Sequence, residues 1–285
     1  MKQKNLGILY IMCAAFCFAL MNLFVRLSGD LPVMQKSLFR NLVAAGIALA
    51  MIVKEREKIQ FRTEQASAAK NLGFLLVRAG AGTIGILCNF YAVGTLNIAD
   101  ASMLNKLSPF FAIIFSIFVL KEKPKRKEWL AVIVAFLGAL FVVKPSFHME
   151  SIPALIGLCG GLFAGLAYTF VRKLGQNGVK GNLIVFFFST FSCLVVLPGV
   201  ILQYKPMTGQ QLLFLLLAGL AAAGGQFSIT AAYTKAPAKE ISVFDYTQVI
   251  FAALLSLVVL GEWPDVYSFI GYAIIIGTAV AKAKF

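Results

Sequence analysis

Long apolar stretches, broken by short polar connections, run through all 285 residues of the chain. Apolar runs of about 17 to 25 residues occupy 5–27, 33–53, 71–95, 99–120, 129–144, 153–173, 182–203, 210–234, 238–260 and 265–282. An α-helix rises 1.5 Å per residue and the hydrocarbon layer of a bilayer is ~30 Å thick, so these runs predict ten membrane-crossing helices. The connections are too short to hold a separate soluble domain. The first run follows only Lys2 and Lys4, exceeds a signal-peptide core in length and ends in no small-residue cleavage site, so it is expected to remain as a span.

Composition identifies the solvent. Sixty per cent of the residues are hydrophobic and 13% are charged, more apolar surface than a soluble domain of this size covers with polar groups. The formal net charge is +14, from 26 basic and 12 acidic residues. Lys and Arg gather on the cytoplasmic side of membrane proteins. Ten spans place nineteen of them in the termini and alternate connections, the largest groups being Lys54 to Lys70 and Lys121 to Lys127. Arg26, Lys36, Arg40, Lys144 and Lys205 fall on the other side, and Arg78 and Lys106 lie inside spans. Both termini are therefore expected in the cytoplasm, in a multi-pass protein of the inner (cytoplasmic) membrane. Charge spread along membrane flanks, not gathered in one patch, does not point to nucleic acid. The expected partners are the lipid bilayer and a small-molecule substrate, with the chain acting as a monomer.

One segment occurs twice. SMLNKLSPFFAIIFSIFVLKEKP (Ser102 to Pro124) returns without a gap 140 positions later as SVFDYTQVIFAALLSLVVLGEWP (Ser242 to Pro264). Phe111/Phe251, Ala112/Ala252, Ser116/Ser256, Glu122/Glu262 and Pro124/Pro264 are among the matches. A shorter echo pairs LMNLFVRL (Leu20 to Leu27) with LAYTFVRKL (Leu166 to Leu174), setting Arg26 on Arg172. The predicted architecture is all-α, with one five-helix repeat over 1–146 and a second over 147–285. Spans 4 and 9 are an odd number apart, so the copies cross the membrane in opposite directions. Their trailing loops agree: KEKPKRK carries five basic residues, whereas GEWPD carries none and two acids. Inverted-topology repeats of this kind build transporters around a central cavity, which opens to one side and then the other as the halves exchange shapes.

The helix that ends in a Gly/Lys-Glu-x-Pro turn, present twice, resembles a mark of the drug/metabolite transporter superfamily and, within it, of the EamA family of ten-helix carriers. FYAVGTLNIADASMLNKLSPFFAIIFSIFVLKEKP, AAYTKAPAKEISVFDYTQVIFAALLSLVVLGEWP and LPVMQKSLFRNLVAA with Arg40 carry the resemblance over nearly the whole chain. It implies a ten-helix basket with a cavity built from helices 1, 3, 4, 6, 8 and 9. It also implies a solute drawn from amino acids, nucleosides, sulfonium and ammonium compounds or other small metabolites. The chain departs from the family pattern at Lys121, where a small residue is usual, at Val249, which stands where Pro109 stands in the first half, and at Phe18-Ala19-Leu20, which lacks a Trp-Gly pair.

An ionisable side chain at mid-span costs roughly 2.5–3.5 kcal/mol to insert, so it is kept facing a partner or water. Arg78, Lys106 and Asp245 occupy such positions in spans 3, 4 and 9, and the repeat sets Asp245 on Asn105. Ser102, Asn105, Pro109, Ala112 and Ser116 form one small, polar helix face, repeated by Ser242, Asp245, Val249, Ala252 and Ser256. The substrate is expected on this face, bound by Arg78, Lys106, Asn105, Asp245, Gln248, Tyr91 and Asn22, with Asp245 also a candidate for proton coupling. The competing reading is a buried ion pair of Asp245 with Lys106 or Arg78 that only locks helices together. Two cations against one carboxylate leave a positive surplus, which suits an anionic or zwitterionic solute. Ser108, Asn89 and Gln226 are weaker candidates that fit interhelical hydrogen bonds equally well. Arg40 is assigned to gating or to the external interface, where it would snorkel beside Arg26 and Lys36. Gly157, Gly161 and Gly165 predict close helix packing.

Other classes drop out. The chain has one His, His148, no H-E-x-x-H and no phosphate-cradling Gly loop followed by Lys-Ser/Thr. Cys13, Cys17, Cys88, Cys159 and Cys193 all lie in spans and form no C-x-x-C pair. Neither a metal, a cofactor nor an enzymatic activity is expected, and energy would come from a gradient. The expected function is secondary active transport of a zwitterionic or anionic metabolite, such as an amino acid, by alternating access. Efflux of cationic or aromatic compounds, with Asp245 as the charged contact, is the alternative, and lipid handling a more distant one.

Overall fold

A computed structural model describes residues 2–57, 59–121, 126–143, 151–235 and 244–283. These residues form eleven α-helices: α1 (Lys2–Leu27), α2 (Val33–Lys54), α3 (Ala68–Thr95), α4 (Ile98–Asn105), α5 (Ser108–Val119), α6 (Arg126–Val143), α7 (Ser151–Gln176), α8 (Gly181–Leu202), α9 (Gly209–Lys235), α10 (Thr247–Leu260) and α11 (Val266–Ala283). Seven segments are long and apolar enough to cross a membrane, with α4 and α5 together counting as one, and α10 and α11 add shorter apolar stretches. Phe118, Leu202 and Val258 are at least 75% exposed on the outside of this assembly, a placement that only lipid accommodates at such density. The chain is a multi-pass membrane protein. The Glu122 to Pro124 turn, Ser242 and the beginning of predicted span 9 lie outside the described residues.

Local chemistry sets the helix ends. Ser67 caps α3 by accepting the Lys70 N–H, and Asn97 caps α4 by accepting the Ala99 N–H at 2.9 Å. The run predicted as one span over 99–120 is two helices, because Pro109 has no N–H and its ring meets the carbonyl of residue 105. At the break, Leu107 N–H reaches the Leu104 carbonyl (3.2 Å) and Phe110 N–H the Leu107 carbonyl (2.9 Å). The second copy is interrupted at the equivalent place. Tyr246, the counterpart of Lys106, separates a helical turn at 244–245 from α10, with Val249 N–H on the Tyr246 carbonyl at 3.0 Å. The downstream ends match as well: Lys121 (φ 56°) and its counterpart Gly261 (φ 68°) both take the left-handed conformation. Gly261 adopts it freely, whereas Lys121 does so against its own Cβ.

In the packing, α1 lies along α9 and α3 along α7, while α2 lies along α8 and α6 along α11. The broken pair α4–α5 rests on α7, and α10 rests on α1 and α4. The glycines of α7 do what their spacing predicts. A Cβ at Gly161 would lie 2.5 Å from the Leu104 carbonyl oxygen and one at Gly165 2.6 Å from that of Ser108, so α7 is seated directly on the break between α4 and α5.

Candidate functional site

Among the described residues four charged side chains are no more than 2% exposed: Arg40 (1%), Arg78 (2%), Lys106 (1%) and Asp245 (0%). They fall into two groups. Lys106 Nζ lies 2.7 Å from Asp245 Oδ1, joining the break of α4–α5 to the one before α10. The pair is held by charge proximity and not by an aligned hydrogen bond, since among the described residues neither carboxylate oxygen has a hydrogen-bond partner. Phe18 covers it on one side, with its ring centroid 5.9 Å from Lys106 Nζ. Tyr168 and Tyr233 are stacked with ring centroids 5.3 Å apart, and Tyr246, next in the chain to Asp245, is buried at 2%.

The second group surrounds a cavity. Phe18, Met21 and Asn22 of α1, Arg40 of α2, and Arg78, Gly82, Gly85, Ile86 and Asn89 of α3 line it, with Asn105 at the end of α4. The wall is completed by Ala164, Ala167 and Tyr168 of α7, Phe188 of α8, Gln226 of α9 and Gln248 of α10. The space open to the centres of water-sized molecules is about 60 Å³, room for a few waters. Phe188 holds both arginines: its ring centroid is 4.0 Å from the Arg78 guanidinium carbon and 5.5 Å from that of Arg40. Arg78 Nη2 donates to Gln226 Oε1 at 3.1 Å. Arg40 Nη1 donates to Asn41 Oδ1, and Asn41 is fixed in turn through Nδ2 to Ser192 Oγ at 2.9 Å. A chain of amides closes another side, Asn89 Nδ2 donating to Asn22 Oδ1 (3.1 Å) and Asn22 Nδ2 to Ser102 Oγ (3.2 Å).

Of the residues singled out in the sequence, Arg78, Asn105, Gln248 and Asn22 share this cavity. Lys106 and Asp245 stand behind Phe18 and form the ion pair of the competing reading, so the trio expected around one solute is divided. Tyr91 is not brought to the cavity: its side chain is 38% exposed, while Asn89, two positions earlier and ~200° away around the helix, is buried at 7%. The small, polar face of span 4 is buried but mostly used for packing. Ala112 abuts Gly165, and Ser116 Oγ donates to the Ile113 carbonyl at 2.8 Å. Arg40 does not snorkel. It lines the cavity, and Lys36 is also buried, its ammonium on the carbonyls of Gly29 (2.6 Å) and Val25 (3.3 Å). Only Arg26 keeps a quarter of its side chain exposed, in a 2.8 Å bond to Glu262 of the second Glu-x-Pro turn. Spans 2 and 7 join the six expected to build the cavity, bringing Arg40 and Phe188. Phe188 carries no mark in the apolar run VFFFSTF, but Arg40 did: it lies seven residues past Val33, as deep as Arg78 lies past Asn71.

Residues 5–144 match the EamA-like transporter family, and residues 151–281 match it a second time. The chain belongs to that family. Its similarity to the Pseudopaline exporter CntI of Pseudomonas aeruginosa is 31% identity over 281 residues, covering 98% of this chain and 96% of the relative. It is 24% identical to the human Solute carrier family 35 member G1 over 98% of this chain and 79% of that one. The Riboflavin transporter of Vibrio cholerae is 26% identical over 95% and 90%. One crystal structure, 16% identical, superposes with a TM-score of 0.73 over 98% of this chain and 97% of the other, so the two chains share a fold. In this EamA-family chain the cavity, not the ion pair, is where polar side chains face an open space.

Proposed function

We propose that this EamA-family chain is a secondary carrier of ten spans, moving a small anionic or zwitterionic metabolite by alternating access between two halves of opposite orientation. The carrying observation is that the cavity receives side chains from both halves: Arg40, Arg78 and Asn22 from the first, Tyr168, Phe188 and Gln226 from the second. Three further facts support two halves, divided at 146/147. The family matches twice, once on each side of that boundary. Helix breaks at Lys106 and Tyr246, and left-handed ends at Lys121 and Gly261, fall on equivalent positions. The packing partners also exchange: α1 with α9 becomes α7 with α3 when each segment is replaced by its counterpart five spans away, and α2 with α8 and α6 with α11 return themselves.

The arginines favour anionic groups over cations, while the amides serve the polar remainder of the solute. Asp245 is the proton-coupling candidate, since protonation would dissolve its pair with Lys106 and free the two breaks to move. Both termini are assigned to the cytoplasm and the protein to the inner membrane by the basic residues of its connections. A relative named as an exporter makes outward movement the direction to test first. The experiment is counterflow of a metabolite mixture into liposomes bearing the purified protein. Saturable exchange of at least one anionic or zwitterionic solute is expected. Its absence for every solute, with a folded and monodisperse protein, refutes the carrier.

A further inference from the structure

Arg40 and Arg78 present a charge problem that their surroundings leave open. Both are buried, and a buried guanidinium is costly unless paired with an anion. Among the described residues no carboxylate comes within 4 Å of either one, and Asp245, the acid nearest in kind, is engaged by Lys106. Among the described residues the two arginines make one hydrogen bond each, to a neutral amide oxygen, and share the face of Phe188. Nε of each has no hydrogen-bond partner among the described residues. A guanidinium has five N–H donors, so most of the capacity of both forks is left unused by the described residues. With Lys106 and Asp245 cancelling, the described wall of the cavity carries two positive charges and no negative one.

We propose that Arg40 and Arg78 form a clamp for a solute with two negative charges, and that Phe188 is the placeholder that holds the clamp when it is empty. This rests on the carrier reading above and narrows it: a zwitterion or a monocarboxylate leaves at least one guanidinium uncompensated in the membrane, whereas a dianion neutralises both. The stacked ring stabilises the cations less than charge-assisted hydrogen bonds do, so an entering dianion can displace it. The cavity, with room for only a few waters, enlarges as Phe188 leaves. Gly82 makes this arrangement possible, because a Cβ there would lie 2.7 Å from Phe188 Cε2 and collide with Arg78 Nη1. Asn41, bonded to Ser192 on α8, fixes the second fork. The shared chemistry is two negative charges within reach of both forks, carried either by two carboxylates or by one phosphomonoester.

The test is uptake and counterflow in proteoliposomes with radiolabelled succinate, malate, glycerol 3-phosphate, lactate and glutamine, compared at equal ionic strength. Succinate, malate or glycerol 3-phosphate should exchange at least tenfold faster than lactate and glutamine, and the winner among the three separates carboxylate pairs from phosphoryl groups. Arg40→Gln and Arg78→Gln should each weaken apparent affinity for that dianion about 10- to 100-fold, with Arg→Lys intermediate because charge returns without the fork. Thermal stabilisation of the wild-type protein by the dianions, and not by lactate, checks the clamp without any variant. Flux of glutamine or lactate equal to that of the dianions, or a transported solute indifferent to both arginines, removes the clamp and leaves the carrier standing. No flux of any solute through the folded protein removes both.

Discussion

Replacing Lys106 by methionine leaves Asp245 at 0% exposure with its cation gone. At the observed 2.7 Å the Coulomb attraction is about 6 kcal/mol for an effective dielectric constant of 20, and most of it is offset by the desolvation of the two groups. Methionine removes the attraction and one desolvation cost but keeps the other, and loss of one partner from a buried pair costs ~3–5 kcal/mol. Asp245→Leu should cost a similar amount by stranding Lys106. The double variant Lys106→Met/Asp245→Leu removes both charges and should recover to within ~1 kcal/mol of wild type. In detergent these differences correspond to losses of about 6–20 °C for the single variants, at roughly 2–4 °C per kcal/mol, and near-restoration for the double one. Additive effects, agreeing within ~0.5 kcal/mol, would refute the energetic coupling. Transport then separates the roles of the pair. A stable double variant that exchanges solute at the wild-type rate makes the pair a lock between α4–α5 and α10. A stable variant that cannot transport, or transports without responding to a pH gradient, makes it part of the working cycle.

Lys121→Gly relieves a left-handed residue that carries a Cβ and should raise stability by about 1 kcal/mol, seen as a rise of ~2–4 °C in the melting temperature; Gly261→Lys should lower it. Gly165→Leu drives a side chain into the Ser108 carbonyl and Phe111 and should cost at least ~1–3 kcal/mol, read as a lower melting temperature or loss of monodisperse protein. Arg26→Gln breaks a pair whose side chains are 27% and 26% exposed, so stability should change by no more than ~1 kcal/mol. If that pair latches the end of α1 to the turn after α10, flux should nonetheless change, and a cysteine placed at Ser28 should be labelled faster by a membrane-impermeant thiol reagent.

Hydropathy made the spans legible because each must bury about twenty residues in hydrocarbon, and that requirement is written in length alone. The predicted 33–53 and 182–203 lie within a residue of α2 and α8. The same measure is blind to backbone bonding, so it joined α4 and α5 across Lys106, although Pro109 was the available sign of a break. The repeated segment sets Lys106 on Tyr246, and both positions interrupt a helix, but the repeat itself gave no sign of either break. What a linear reading lacked was direction around each helix. Asn89 and Tyr91 are both polar groups in one span, yet one bonds Asn22 at the cavity and the other is exposed. Arg40 was misplaced for a related reason: its basic neighbours Arg26 and Lys36 drew it toward the membrane surface, although its depth equalled that of Arg78. Depth is set by sequence position, but which groups meet at a given depth is set by which helices face one another. Spans 2 and 7 lie against each other, and it is this contact that brings Phe188 to Arg40 and, with Arg78 reaching across from α3, turns two isolated basic residues into one site.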